Sequence, residues 1–234
     1  MKVSDLFEKK LEFKTSQKPI HGMIQSKQLN HLGTGVTAIA YEHKKRPNTV
    51  IKTIQLVDKD DVTFAFVRLC MNNKGNPFLP KIHAAKVYNI QRMDPDEREQ
   101  LYQMMDPEDT PPDEGKYVMI VVMEKLFPIH NAANRAVATQ LLQQLNIVPT
   151  DPEEIPQNLM GVRDPLSITN RKFANPFKRQ ELKQGSSNIQ FKQALRLLEP
   201  LFKYSEADLH KKNIMLRMTN DGPHLVLVDP VITG

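Results

Sequence analysis

The residues best suited to chemistry lie near the C-terminal end, in Asp208-Leu209-His210-Lys211-Lys212-Asn213, with Asp229-Pro230 some way beyond. Between them, Asn213 to Met218 and Leu225 to Val228 read as the arms of a β-hairpin, with Asn220-Asp221-Gly222 as its turn. A hairpin returns its second arm to the start of its first, so Asp208, Asn213 and Asp229 are expected to meet at one end. Phosphoryl transfer needs such a set. One carboxylate takes or orients the acceptor proton while other oxygen ligands hold magnesium on the phosphates. Taken singly, Asp208 and Asn213 read equally well as turn residues and Asp229 as a strand-end acid before proline. Order and spacing set the three apart. His210 can brace this loop by hydrogen bonding or touch a phosphate.

The rest of the chain has to position these groups. Ser26 to Leu32, Val36 to Tyr41 and Thr49 to Leu56 read as strands, separated by Gly33-Thr34-Gly35 and by the turn-prone His43 to Asn48. A charged segment around Val3 to Leu11 precedes them as a helix. Asp58, Asp60 and Asp61 then lead into the apolar run Val62 to Cys70, which suits a helix with acids at its positive end. Ala85 to Gln91 and Lys116 to Met123 are two further strands, with an acidic, proline-containing insertion from Met93 to Glu114 between them. After Glu124 the pattern changes to helices and proline-rich connections. Ala132 to Leu145 and Ser187 to Lys203 read as helices, the second kinked or ended by Pro200.

Composition narrows the function classes. The 234 residues suit one domain with two lobes, and 40% hydrophobic residues supply a modest core. No apolar run reaches the roughly 18 residues of a membrane span, so no membrane association is expected. Charges interrupt the N-terminal segment, so no secretory signal is expected and the mature chain is expected to start here. The single cysteine, Cys70, excludes an internal disulfide, suits a reducing cytoplasm and reads as a buried small hydrophobe. The seven histidines show no paired metal-binding spacing. A net charge of +5 favours anionic partners in general. The basic stretch Arg171-Lys172, Lys178-Arg179 and Lys183 reads as solvated loop charge, with an acidic substrate or RNA as the alternative.

Asp208, Asn213 and Asp229, in this order, resemble the protein-kinase-like superfamily, whose catalytic loop sets an Asp five residues before a metal-binding Asn and whose later Asp binds magnesium. The Asp-Leu-His-x-x-Asn form is similar to aminoglycoside-phosphotransferase-like kinases. Leu32-Gly33-Thr34-Gly35 resembles a shortened glycine-rich phosphate loop, with Ala38 in the third glycine's place. Val50-Ile51-Lys52 resembles the strand lysine of the family, and Val122-Met123-Glu124-Lys125-Leu126 its hinge. From about Leu32 to Val231 the chain is similar to the early serine/threonine kinases of T-odd-like tailed bacteriophages. That likeness rests on Leu32 to Gly35, Ala40-Tyr41, Pro47 to Lys52, Phe66-Val67-Arg68, Asp208 to Met215 and Val228 to Val231.

The resemblance implies an α+β, two-lobed protein-kinase-like fold, with a sheet-rich N-lobe over 1–124 and a reduced helical C-lobe over 125–234. It implies ATP and Mg2+ as cofactors, with ATP between the lobes. Asp208 would be the catalytic residue, Lys52 and the backbone of Gly33, Thr34 and Gly35 would hold phosphates, and Asn213 and Asp229 would bind the metal. The Glu124 carbonyl and Leu126 amide would grip adenine. Substrates would be serine and threonine residues of bacterial host proteins, in the host cytoplasm. Two departures matter. No Glu occurs between Lys52 and Glu97 to pair with the lysine, leaving Asp58, Asp60 and Asp61 as substitutes, and only five residues follow Asp229, so no conventional activation segment is expected. Three alternatives therefore stand beside the kinase: a catalytically inactive kinase-fold protein that binds and inhibits a host protein, a small-molecule phosphotransferase, and, ranked last, a nucleic-acid-binding protein. The oligomeric state is open.

Overall fold

The computed structural model describes residues 29–35, 38–56, 61–90, 94–96, 98, 117–129, 131–155, 172, 175–203, 206–207, 213–229 and 231–232. The helix expected at Val3 to Leu11, and Asp58 and Asp60, lie outside these residues. The chain is mixed α+β and clusters into two units, Met1–Met71 with Lys81–Lys125, and Asn72–Pro80 with Leu126–Gly234. Residues 72–80 precede the expected boundary at 124 yet cluster with the second unit. Among the described residues no helix is long and apolar enough to cross a membrane.

The first unit is built on a five-stranded antiparallel sheet in the order β1-β2-β3-β5-β4. Its strands are β1 (Leu29–Thr34), β2 (Ala38–His43), β3 (Arg46–Leu56), β4 (Ile82–Asn89) and β5 (Tyr117–Glu124). The expected long turn at residues 43–48 is a correction, because only residues 44 and 45 form the turn and Arg46 already opens β3. Pro47 is tolerated there because it sits near the exposed start of the strand, where a missing N–H costs little. Alternation along β3 sends Ile51 and Thr53 to one face and Lys52 and Ile54 to the other. On the first face Ile39, Ile51, Val118, Ile120, Tyr88 and Ile90 form one apolar cluster. Those β-branched residues make this a sheet with buried central strands, because both faces of β3 are covered over Val50, Ile51, Thr53 and Ile54.

Helix α1 (Val62–Asn72) follows. Asp61 is its cap: Oδ1 accepts the Thr63 amide at 2.8 Å and the Asp61 carbonyl accepts the Phe64 amide at 3.0 Å. Val62, Ala65, Phe66, Val67, Leu69 and Cys70 are buried, and Cys70 is fully so.

The second unit contains β6 (Phe127–Pro128), α2 (Ala132–Gln144), α3 (Pro176–Gly185), α4 (Ile189–Leu198), β7 (Glu206–Ala207), β8 (Ile214–Thr219), β9 (Gly222–Leu227) and β10 (Val231–Ile232). It is therefore less purely helical than expected. Strands β6-β8-β9 form one small sheet and β7-β10 another. The expected helix through Lys203 ends at Leu198, and a short 3-10 turn at Leu201–Lys203 follows Pro200, which cannot continue an α-helix. Asn131 and Asn188 cap α2 and α4 by accepting the amides of Asn134 and Phe191. Gly222 closes the β8-β9 turn at φ +110, a value that glycine alone adopts at little cost.

Residues 73–80, which follow α1, have no helix or strand of their own and make only a few turn bonds among themselves, so much of their polar backbone needs outside partners. Arg217, on β8 and only 6% exposed, supplies them: Nη1 donates to the Pro77 carbonyl at 2.7 Å and Nη2 to the Leu79 carbonyl at 2.8 Å. Between these, the Phe78 carbonyl accepts the Leu227 amide at 2.9 Å. Asn76 Oδ1 accepts the Phe78 amide, Asn76 Nδ2 donates to the Gln190 carbonyl, and the Phe78 ring meets Phe191 edge to face at 5.2 Å.

Arg217→Ala leaves two buried carbonyls without their donors and is expected to lower the unfolding free energy by about 2–4 kcal/mol. Arg217→Lys, whose ammonium lacks the planar fork, is expected to recover less than half of that loss. Urea denaturation followed by circular dichroism measures both, and a loss in Arg217→Ala below about 0.5 kcal/mol would contradict the role given to the guanidinium.

Candidate functional site

Asn213 and Asp229 lie at the open end of the β8-β9 hairpin. Ile214 pairs with Leu227, and the Val228 amide then donates to the Asn213 carbonyl at 2.8 Å, extending the ladder by one step. Asn213 is thus opposite Val228, and Asp229 is the next residue. Both are partly exposed. Asp208 itself lies outside the described residues, as do His210, Lys211 and Lys212. Its chain neighbour Ala207 pairs with Val231 of β10, two residues beyond Asp229.

Asp229 adopts φ +57, the left-handed region. An L-residue pays roughly 1–2 kcal/mol there, less for Asp and Asn, and glycine would avoid the cost. Asp and Asn are, after glycine, the residues that adopt this conformation most readily, and Asn146 does so at φ +58. A carboxylate and a carboxamide oxygen at one hairpin end suit Mg2+, which takes one or two protein carboxylates and completes its octahedron with water and phosphate oxygens. Among the described residues no group of three or more His, Cys, Asp or Glu side chains is placed to hold a metal. Any Mg2+ here therefore depends on oxygens from a ligand or from outside that set.

The remaining predicted groups sit in the first unit, apart from Leu126. Gly33 pairs with Ala40, Ala40 with Lys52, Lys52 with Val121 and Val121 with Ala85, so these five residues form one row across the sheet. Paired residues share a face, and two strand spacings separate Gly33 from Lys52 by roughly 10 Å. Lys52 is half-buried between the buried Val50 and Ile54 of the same face. Gly35 donates its amide to the Ala38 carbonyl at 2.7 Å, closing the turn whose tip, Val36 and Thr37, is outside the described residues. A Cβ would meet nothing within 4 Å at Gly33, and at Gly35 only the Ala38 carbonyl at 3.5 Å. Among the described residues, no neighbour stands where a Cβ would clash at either glycine.

Thr34 Oγ1 lies 3.0 Å from His31 Nε2, and the His31 ring packs edge to face on Tyr41 at 5.9 Å. Glu124 ends β5, and Leu126 is buried in the second unit. Of the acids considered as partners for Lys52, Asp61 is committed to capping α1. The sequence reading missed Arg217 and the side-chain bond in which Glu124 Oε1 accepts the Lys81 amide at 2.7 Å. A charged residue inside the apolar alternation Ile214-Met215-Leu216-Arg217-Met218 was the available signal for the first.

Arg171 lies outside the described residues, and Lys172, Lys178, Arg179 and Lys183 of the basic stretch are engaged internally. Lys178 pairs with Glu181 and Lys183 with Glu199, while the Arg179 guanidinium stacks 4.5 Å from the Phe202 ring centroid. Lys172 reaches the Asn146 carbonyl at the C-terminal end of α2. There Asn146, at φ +58, donates its amide to Gln143 and Ile147 donates to Leu142, a Schellman cap whose carbonyls attract a cation. Burial pulls the Lys172 pKa below its usual value, the Lys178 charge lowers it further and Glu181 opposes. Arg179 is lowered by burial, with Glu199 opposing. Asn146, Lys172, Lys178 and Glu181, with Leu182, Gly185 and Ser186, line a cleft of about 120 Å³.

Neither a protein-family model nor a curated protein sequence matches the chain.

The backbone at Asp229 generates a test of its own. Asp229→Gly is expected to remain within about 1 kcal/mol of the wild type, whereas Asp229→Val, β-branched at a left-handed position, is expected to lose at least about 1 kcal/mol relative to the glycine variant. Equal denaturation midpoints for the two would show that the left-handed conformation is not imposed.

Proposed function

We propose that the chain is a Mg-ATP-dependent phosphotransferase of the protein-kinase-like type, acting on serine and threonine hydroxyls of proteins, with bacterial host proteins as the substrate class. One observation carries this reading. At the base of the β8-β9 hairpin Asn213 and Asp229 end facing arms, and the residue before Asp208 pairs two positions after Asp229. Lys52 and Gly33 in one sheet row add support.

In this mechanism Asp208 orients the acceptor hydroxyl and takes its proton as the oxygen attacks the γ-phosphorus. The acceptor oxygen to γ-phosphorus bond forms, the γ-phosphorus to bridging oxygen bond breaks, and the electron pair leaves on the β-phosphate. The Asn213 amide oxygen and the Asp229 carboxylate would hold Mg2+, which when bound neutralises charge on the phosphate oxygens. Lys52 adds a positive charge to the phosphates, and the backbone amides of the Gly33 to Gly35 turn approach them without side-chain obstruction. The Glu124 carbonyl accepts from the nucleobase.

A second reading, a kinase-fold protein without turnover that acts by binding a host protein, is supported by the sequence, in which no Glu occurs between Lys52 and Glu97.

Incubation with ATP labelled at the γ-phosphate, Mg2+ and bacterial protein extract separates the readings. The wild type is expected to label serine and threonine, and Asp208→Ala and Asp229→Ala each to lose roughly 100-fold or more. Label confined to small molecules would move the assignment to a small-molecule phosphotransferase. A wild type that is stabilised by Mg-ATP but transfers nothing would support the binding protein.

A further inference from the structure

Among the described residues, strand β1 lies at the edge of its sheet and pairs with β2 alone. Most of its residues are exposed, so burial does little to fix its register. The pairing is irregular at one defined point. His31 stands opposite Tyr41 and Gly33 opposite Ala40, which leaves Leu32 as one extra residue, a β-bulge. In an unbulged strand Leu32 would stand opposite Ala40 and Gly33 opposite Ile39.

The bulge changes which side chain meets which face. Ala40 pairs with Lys52, so Gly33 takes the place in the Lys52 row that Leu32 would otherwise fill. Thr34, opposite Ile39, moves to the face of His31 and Tyr41, where Ile39 belongs to the apolar cluster and Tyr41 packs against it. Residues three apart point to opposite faces of a regular strand, so the side chains of His31 and Thr34 meet only because of the extra residue between them. Their Nε2 and Oγ1 atoms are 3.0 Å apart. The His31 ring is itself seated edge to face on Tyr41, the residue directly opposite, at 5.9 Å. The bond from the Gly35 amide to the Ala38 carbonyl closes the turn in this same register. Over Gly33 the row is open, since a Cβ would meet nothing within 4 Å, whereas Leu32 carries a branched apolar side chain and is 48% exposed.

We infer that the hydrogen bond between His31 and Thr34 is a register lock: it holds the bulge at Leu32, so that Gly33 rather than Leu32 stands in the row of Lys52 and the phosphates have room to approach. This rests on the nucleotide reading above. His31 is then a positioning residue, acting on the phosphates only through the backbone register of β1. Loss of the bond lets the strand exchange its bulge for a regular ladder, in which the Leu32 side chain enters the open space of the Lys52 row. Apparent affinity falls with the share of chains that keep the bulge.

Calorimetric titration of the full chain with Mg-ATP, beside the cross-strand nuclear Overhauser contacts of Ala40, tests this. The wild type is expected to show residue 33 against Ala40. His31→Phe keeps a ring on Tyr41 but removes the bond. It is expected to weaken Mg-ATP binding about three- to fivefold, the value of one hydrogen bond, and to show residue 32 against Ala40 in part of the population. Thr34→Val is expected to do the same. His31→Gln, whose side-chain amide still reaches the hydroxyl, is expected to stay within about twofold of the wild type. Adding Leu32→Gly to His31→Phe is expected to restore the affinity to within about twofold, because either register then sets a glycine in the row. A second glycine would not repair a merely structural role for His31. The inference is overturned if His31→Phe binds Mg-ATP as tightly as the wild type, or if Leu32→Gly fails to repair it. A wild type that shows residue 33 against Ala40 but binds no Mg-ATP overturns the nucleotide reading, and with it the use given to the lock.

Discussion

The Arg217 guanidinium is the interaction on which the order of the irregular segment 73–80 depends. That segment runs between α1 and β4, both mostly in the first unit, yet it clusters with the second. It has no regular structure to satisfy its carbonyls, and a buried unpaired carbonyl costs about as much as a good hydrogen bond returns. Arg217 answers two of them with one planar fork, and the Leu227 amide answers the carbonyl between. The rigid geometry of guanidinium matters, since two donors fixed in one plane match two carbonyls two residues apart better than a mobile ammonium would. The same hairpin that carries Arg217 on β8 carries Asn213 and Asp229 at its base. Ordering of the segment and presentation of the candidate ligands thus rest on one small sheet.

A second device recurs where ladders end: irregular backbone or a side-chain bond takes over from the regular strand pattern. Asp229 sits in left-handed backbone immediately after the β8-β9 ladder ends, and the Lys81 amide donates to the Glu124 carboxylate just ahead of β4. Each departure is local and is supported by regular strands on either side. Rigid elements with one irregular residue at the end position a side chain or carbonyl more narrowly than a free loop does. The basic stretch behaves differently. Its lysines and arginine are spent on glutamates, an aromatic ring and a helix C-terminus, which makes them part of the packing of α2, α3 and α4.

The strands of the first unit, the helices α1, α2 and α4 and the hairpin were legible in the sequence because they follow from short-range patterns, whereas α3 (Pro176–Gly185) and the order of strands in the sheet were not read from it. Alternating β-branched residues from Val50 to Leu56, the Asp61 cap before Val62 and the Asn220-Asp221-Gly222 turn each act within a few residues. Boundaries moved by one to five residues where local signals competed, as at Arg46, which opens a strand inside what reads as a turn. Composition around residues 72–80 resembles an ordinary loop, Asn-Asn-Lys-Gly-Asn-Pro, and nothing local reveals that its carbonyls are bound by a residue some 140 positions later.

By itself, then, the sequence determined that Asn213 and Asp229 end the arms of one hairpin, that an acid opens α1 and that one strand and one hairpin turn separate the glycine turn from the strand of Lys52. Periodicity and turn chemistry decide those relations locally. Only the tertiary structure decided that Gly33 and Lys52 share a sheet row, that Arg217 serves segment 73–80 and that the Glu124 carboxylate takes an amide from Lys81. Those pairings depend on strand register and on which buried donors lack acceptors, quantities that exist only once distant parts of the chain have packed.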